Sequence, residues 1–479
     1  MPAALVVASN RGPVAYSLGD DGVVHARRGG GGLVSAVGSL AADAGTVWVC
    51  AALGPGDRQA ARTAPQGRLD TADTGGLAVR MLDIEETTFH RAYNAIANST
   101  LWFVHHLLYD TPRRPAFDAL FAREWQAYVD YNSAFADALA AEAAPGARVL
   151  IQDYHLSLAP RLLRERRADL AIAHFSHTPW APPEYYELLP DEVGASVLLG
   201  ILGADHAGFL GRRWADAFLA CAARLPGVSV DGDSVVCAGH RTRIGVHALG
   251  VDGPALLARA AAPDAAARRD ALLARTAGRQ ILLRIDRTEL SKNIVRGLAA
   301  YRELLRLHPE WLGRVVHLVY AYPSRHDLPE YREYTADVQR LAQRIEDEFA
   351  RPDWTPLVLE VSDDYPRSLA AYRIADVLVV NPIRDGMNLV AKEGPVLSDH
   401  GVALVLSRAA GAAEELADDA LLVNPFDVSA TAAAMDAALR MSAADRSERT
   451  GRLAAAATAM PPAAWLAAQI KALDDRGSA

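Results

Sequence analysis

Cysteine is scarce: the 479 residues hold three, Cys50, Cys221 and Cys237. They form no metal-ligand or redox spacing and sit in apolar surroundings, so they read as reduced core residues of a cytosolic protein. Positive charge is also short, with 49 Lys and Arg against 58 Asp and Glu. The net charge of −9 argues against a nucleic-acid-binding surface, while leaving room for local basic clusters that hold phosphates. No apolar run approaches the roughly 18 residues that span a bilayer, so no membrane partner is expected. The start, MPAALVVASNRG, has no basic n-region, and no signal peptide is expected. No internal repeat of roughly 20 to 50 residues is visible. No G-x-G-x-x-G follows a strand, which removes the fingerprint of a nicotinamide dehydrogenase.

What is present is a globular composition, 51% hydrophobic and 22% charged. The length exceeds what one core usually supports, which predicts two domains, residues 1–250 and 251–459. The second half alternates strand and helix. Short apolar runs at 280–285, 315–321, 357–360, 377–380, 403–406 and 420–423 read as strands of a doubly wound parallel sheet. The first half offers strands at 3–9, 47–50, 148–151, 172–175 and 242–246, a hairpin over 228–236, and helices over 33–42, 90–106, 124–141 and 212–225. The alanine-rich residues 256–277 read as one helix. The fold class is therefore α/β.

The most informative stretch is 381–395, NPIRDGMNLVAKEGP, which follows the strand at 377–380 and leads into a helix over 387–397. Gly386 lets backbone approach a ligand, and the first helical N–H groups beyond it have no internal partners, so an anion fits there. Asp385 and Asn388 add polar groups at the same rim, and Glu393 is near enough to face a ribose or sugar hydroxyl. A nucleotide-sugar diphosphate fits that description; an ordinary βα turn with a glycine does too. Arg287 and Lys292 flank a helix start after the strand at 280–285, where cations and free N–H groups together would neutralise a diphosphate. Arg11 follows the first strand, Asp153 follows the strand at 148–151, and His177 follows that at 172–175. Ligands bind at such carboxyl ends, although Asp153 could equally cap the next helix. The four glycines of 29–32 suit a loop closing over phosphate or sugar, or a plain linker.

Residue by residue, RDGMNLVAKE resembles the donor-site motif of the trehalose-6-phosphate synthases, which join a nucleotide-activated glucose to glucose 6-phosphate. The resemblance runs from Asn10 to about Asp427 and takes in further motifs in order. YNxxxNxxLW at Tyr93 to Trp102 resembles the acceptor-side segment, DYHL at Asp153 the acceptor motif, and SHTPW at His177 the HIPFP-type segment. Arg287 and Lys292 match the phosphate pair of R-L-D-Y-x-K-G, and Pro323-Ser324-Arg325 resembles TSR.

The resemblance implies the architecture called GT-B, two Rossmann-like doubly wound domains facing a cleft, with a last helix at about 460–479 packing back on the first. It implies catalytic roles for Asp153, His177, Arg287 and Lys292. Gly32, Met387 and Leu389 join Asp385, Gly386, Asn388 and Glu393 at the donor, and Arg11, Tyr93, Trp102, Asp153 and Arg325 meet the acceptor. It implies transfer with retention, in which the leaving phosphate takes the acceptor's proton, so no protein nucleophile is named. No Asp-x-Asp stands at a strand end among these sites, and no metal or other cofactor is expected. A homo-oligomer stays open.

The wording R-T-x-x-x-K-N at 287–293 looks more like relatives using GDP-linked donors, including the pseudo-glycosyltransferase that makes validoxylamine phosphate. A carboxylate can accept both N1–H and N2–H of guanine, where uracil offers one donor. Asp363, with Ser368 behind it, is the expected base reader unless it belongs to an exposed acidic loop. GDP-glucose is thus expected ahead of UDP-glucose. The alternative functions are the pseudo-glycosyltransferase, coupling a nucleotide-linked cyclitol to an amino-cyclitol phosphate, and a homologue that binds without turnover.

Overall fold

The structure, a computed structural model, describes residues 2–19, 21–29, 34, 38, 45–325 and 327–475. Gly32 and most of the helix expected over 33–42 lie outside them. The chain divides into two compact units, Met1–Leu249 with Pro462–Ala479, and Gly250–Pro461.

In the first unit the strands are β1 (Ala3–Ala8), β2 (Val14–Leu18), β3 (Val24–Arg28), β4 (Thr46–Ala51), β5 (Ala78–Leu82), β6 (Ala143–Gln152), β7 (Ala171–Ser176), β8 (His206–Phe209), β9 (Val228–Asp231), β10 (Ser234–Cys237) and β11 (His240–Val246). The main sheet runs β5-β4-β1-β6-β7-β8-β11-β10-β9, with β2 and β3 pairing separately. It is parallel from β5 to β11, and only the edge hairpin of β9 and β10 is antiparallel. β1 is apolar along its whole length and β7 is buried along its whole length, because helices cover both faces of a parallel sheet. Strand order reverses between β1 and β6, so the residues just past those two strands line a crevice. The last helix, Pro462–Asp474, packs on β6, β7 and β8, with Trp465 fully buried.

The second unit is a six-stranded parallel sheet of β12 (Gln280–Arg287), β13 (Val315–Tyr322), β14 (Leu357–Glu360), β15 (Val377–Val380), β16 (Ala403–Ser407) and β17 (Leu421–Val423). Its order, β14-β13-β12-β15-β16-β17, reverses between β12 and β15. Arg287 ends β12, and the loops after those two strands carry Lys292 and the 381–395 motif.

Two helices differ from expectation. Residues 256–277 form two helices, Gly253–Ala260 and Pro263–Thr276. Pro263 stands at the start of the second, where its missing N–H costs nothing, while its ring disfavours a helical residue before it. The motif helix begins at Val390, three residues later than expected, because Asn388 holds φ at 79°. Among the described residues no single helix is long and apolar enough to cross a membrane.

Candidate active site

In the second unit, Arg287, Lys292, Ser368 and Glu393 line one cavity of about 200 Å3, together with Asp286 and Tyr322. Lys292 Nζ lies 2.6 Å from Asp385 Oδ2, whose same oxygen accepts from Asn388 Nδ2 at 3.0 Å. Burial works to lower the Lys292 pKa, but Asp385 and Asp286 outweigh it, and the ammonium stays charged. The motif loop is strapped from two sides: Ile383 N–H donates to Ser291 O at 2.8 Å, and Ala412 N–H to Met387 O at 2.8 Å. Gly411 is required here, since a Cβ would collide with the Gly386 carbonyl. Gly386, Met387 and Leu389 are thus fixed backbone positions at the switch point.

Glu289 is the neighbour that the motif reading overlooked. It is fully buried, 3.1 Å from Arg287 Nη1 and 3.9 Å from Arg325 Nη1, and accepts from Ser324 Oγ at 2.9 Å. Burial pushes its carboxyl up, yet Arg287 and Arg325 prevail and hold it at about 2. It keeps two guanidinium groups in place as a permanent anion. Glu393 shows the opposite balance. Burial pushes it up to about 7, against the bond it accepts from Tyr372 Oη at 2.9 Å.

Ser368 is buried, with its Oγ on Tyr322 Oη. Asp363 is exposed and outside the cavity lining; its neighbour Asp364 caps the helix Tyr365–Ile374 by accepting from Arg367 N–H at 3.1 Å. Asn293 spends its amide on Asn381 O and Pro425 O, so that part of the R-T-x-x-x-K-N wording serves internal packing.

In the first unit, Asp153 follows β6 with φ at 75°, a left-handed value that a non-glycine residue holds only when its surroundings impose it. It makes no helix cap. Its Oδ1 accepts from the His177 N–H at 3.2 Å, and its Oδ2 lies 3.9 Å from His155 Nδ1. The His177 ring bonds Gln152 Oε1 through Nε2 at 2.9 Å, and burial lowers its pKa, with Asp153 opposing. Tyr93 stacks on His155, with ring centroids 5.7 Å apart, and Trp102 stacks on His106 at 3.8 Å. The segment differs from expectation: Arg91–Leu101, which carries Tyr93, winds as a π-helix, a form that concentrates at functional sites, and Trp102 opens the α-helix Trp102–His106 that follows. Arg11 stands exposed past β1, on the turn where Ser9 Oγ donates to its carbonyl at 2.7 Å. Arg11 and Arg325 lie on different units.

The family model for glycosyltransferase family 20 matches residues 3–475. The chain belongs to that family. It is 33% identical over 93% of its length to a bifunctional trehalose-6-phosphate synthase/phosphatase of Thermoproteus tenax. It spans 60% of that relative's length, and 44% and 39% of two Arabidopsis thaliana relatives. A solved Escherichia coli structure bound with UDP-2-fluoro glucose aligns with a TM-score of 0.86 at 28% identity over 98% of both chains. A Burkholderia xenovorans trehalose-phosphate synthase (UDP-forming), solved with glucose-6-phosphate, aligns at 0.85 and 25% identity over 98% of this chain and all of that one.

Within this family 20 chain, the structure brings together Asp153, past β6 at the β1/β6 switch point, and His177, past the neighbouring β7. It gathers Arg287, Lys292, Asp385, Gly386, Asn388 and Glu393 at the β12/β15 switch point. Sequence reasoning missed Glu289, Gly411, Gln152 and Arg284. A charge inside the apolar run of β12 was the available signal for Arg284, since a buried charge must be paired. Among the described residues, one group could gather a metal ion: His308, Glu310 and Asp436. Arg440 already caps both carboxylates, and none of the three belongs to either site.

Proposed function

We propose that this chain is a retaining glucosyltransferase that makes α,α-trehalose 6-phosphate from a nucleotide-glucose and glucose 6-phosphate, with GDP-glucose used ahead of UDP-glucose. The observation that carries the reading is the β12/β15 switch point, where Arg287, Lys292 and Glu393 line one cavity and Asp385 of the strapped Gly386 loop holds Lys292. Cleaving a glycosyl-phosphate bond develops negative charge on the leaving phosphate, and fixed cations there stabilise it. The Burkholderia xenovorans relative's glucose-6-phosphate supports the acceptor. Asp153, Tyr93, Trp102, Arg11 and Arg325 are its proposed positioning groups, and His177 is proposed to bond the donor glucose. Asp153 and His177 orient hydroxyls and form no covalent bond.

The Escherichia coli relative's ligand is a UDP sugar; Asp363 supports guanine, because its carboxylate can accept two N–H bonds. The test is the purified chain with glucose 6-phosphate and equal GDP-, UDP- and ADP-glucose, measuring nucleotide diphosphate release and identifying the sugar product. Trehalose 6-phosphate forming fastest from GDP-glucose is expected, and Asp363→Ala should shrink the GDP-to-UDP ratio about tenfold, the low end of what one bidentate pair discriminates. UDP-glucose winning would keep the reaction and remove the base reading. No turnover with any glucose donor would overturn the proposal and leave the pseudo-glycosyltransferase as the working function.

Glu393 adds a pH signature. A ribose diol donates to a carboxylate, but near neutrality the free group, raised to about 7, is partly protonated. Donor binding therefore releases protons, and affinity rises from about pH 6 to about pH 8. Titration calorimetry in buffers of differing ionisation enthalpy reads this directly. Glu393→Gln should abolish the released-proton fraction beyond that of the nucleotide itself; an unchanged release in that variant would remove Glu393 from the ribose.

A further inference from the structure

We propose that the side-chain amides of Gln152 and Gln469 form a one-way hydrogen-bond relay that fixes His177 as its neutral Nε2–H tautomer, leaving Nδ1 able to meet a ligand only as an acceptor. The proposal rests on the reading in which His177 bonds the donor sugar.

The relay starts on the last helix. Gln469 Nε2 lies 3.5 Å from the Trp465 carbonyl, one turn earlier on the same face. Gln469 Oε1 lies 3.5 Å from Gln152 Nε2, and Gln152 Oε1 lies 2.9 Å from His177 Nε2. Both glutamines are 1% exposed, so water cannot substitute for a mismatched contact. An amide's oxygen and nitrogen are interchangeable in shape, and neither glutamine alone says which end faces the histidine. The Trp465 carbonyl does, because it can only accept. Gln469 must turn its NH2 to that carbonyl and its oxygen to Gln152. Gln152 must then donate to Gln469 and accept from the imidazole. Reversing either amide would set oxygen against oxygen or NH2 against NH2 in a closed space.

The two 3.5 Å links are weak as bonds; their effect is to set polarity. The short contact at His177 holds the ring. The helix is itself well placed to act as a fixed reference. Trp465 Nε1 donates to His247 O at 3.1 Å, and its ring packs 4.8 Å from Phe175 and 5.5 Å from His177. Burial disfavours the imidazolium, and Asp153 is the charged group that opposes this. Among the described residues Nδ1 has no hydrogen-bond partner. A sugar hydroxyl reaching that atom must donate to it. Gln152 and Gln469 are thus positioning residues acting through His177.

The test is a long-range 15N–1H spectrum of the full chain's histidine rings near neutral pH, with His177 assigned by its loss in His177→Asn. A pyrrole-type Nε2 and pyridine-type Nδ1 are expected. Gln469→Leu frees Gln152 to flip, so the His177 nitrogens should shift toward a mixture of tautomers and kcat should fall about tenfold, the scale carried by outer partners of functional histidines. Gln469→Glu, whose buried carboxyl takes a proton, donates to the Trp465 carbonyl and accepts from Gln152, and should keep the wild-type His177 shifts. A protonated Nδ1 or an imidazolium in the wild type would overturn the relay, as would unchanged shifts in Gln469→Leu. Absence of glucosyl transfer together with the Nε2–H tautomer would overturn the functional reading and support the relay.

Discussion

Lys292→Ala is expected to lower kcat about 10²- to 10³-fold with a much smaller change in the donor KM, the loss seen when one fixed donor to a developing charge is removed. The Lys292 side chain is 14% exposed, and its ammonium is held at 2.6 Å by Asp385, which also takes the Asn388 amide. Its position is therefore set before any ligand arrives, and no reorganisation is needed as charge builds on the leaving phosphate. Preorganised charge acts most strongly where water is excluded, so its loss falls on the transition state more than on binding. Arg287 provides the contrast. Its side chain is 53% exposed and leans on Glu289 at 3.1 Å, so Arg287→Ala should raise the donor KM more than it lowers kcat. Steady-state kinetics with the best donor from the panel, alongside thermal unfolding to confirm folding, separates the two. A Lys292→Ala enzyme within about fivefold of the parent kcat would remove Lys292 from the reacting phosphate.

The donor-side cavity was legible in the sequence because parallel strands buried on both faces leave uninterrupted apolar runs. Residues 377–380 and 403–406 have that form, and 280–285 has it apart from Gln280 and Arg284; they coincide with β15, β16 and β12. Once those are strands, whatever follows each lies at its carboxyl end, which is why Arg287, Lys292 and Asp385 could be grouped without coordinates. The first unit resisted more. β5 and β8 are short and interrupted by Arg80 and Gly208, and the β2–β3 hairpin is largely exposed, so neither periodicity nor apolar length marked them. The 91–101 segment was read as helical, but the distinction between α and π winding depends on tertiary contacts that spacing does not encode. Glu289 was hidden for a different reason. Arg287 and Lys292 near a strand end suggest phosphate, and nothing local says that Glu289 between them is a buried anion neutralising Arg287 and the sequence-distant Arg325. Asp153 shows the converse: its residue type suggested a cap, and only its φ of 75° and the bond from His177 N–H reveal that it faces the neighbouring strand's loop.

Arg284→Met is expected to destabilise the second unit by about 3–5 kcal/mol, the cost of leaving one partner of a buried ion pair behind. Arg284 sits within β12 with no exposed side-chain surface, 2.9 Å from Asp286 Oδ2. Its Nη1 donates to Asn381 Oδ1 and its Nη2 to the Lys292 carbonyl. One guanidinium thereby fastens the loop after β12 to the first residue of the loop after β15, the two halves of the switch point. Gly297 makes this arrangement possible, since a Cβ there would collide with the guanidinium. Without Arg284, Asp286 keeps its burial but loses its partner. Its carboxyl, already raised by burial against the pull of Arg284 and Lys292, should then rise further and take a proton. Proton uptake limits the damage at low pH: a folded-state pKa raised above the unfolded value makes stability fall as pH climbs between the two. The Arg284→Met deficit should thus grow from about pH 5 to about pH 8, and adding Asp286→Asn should recover part of it and flatten the pH dependence. Denaturant unfolding of parent, both singles and the double completes the cycle. The Lys292 carbonyl also loses its donor in Arg284→Met, so transfer activity should fall even under conditions where the variant is fully folded. A folded variant with parental stability and parental kcat would mean that Arg284 neither braces the sheet nor aligns Lys292.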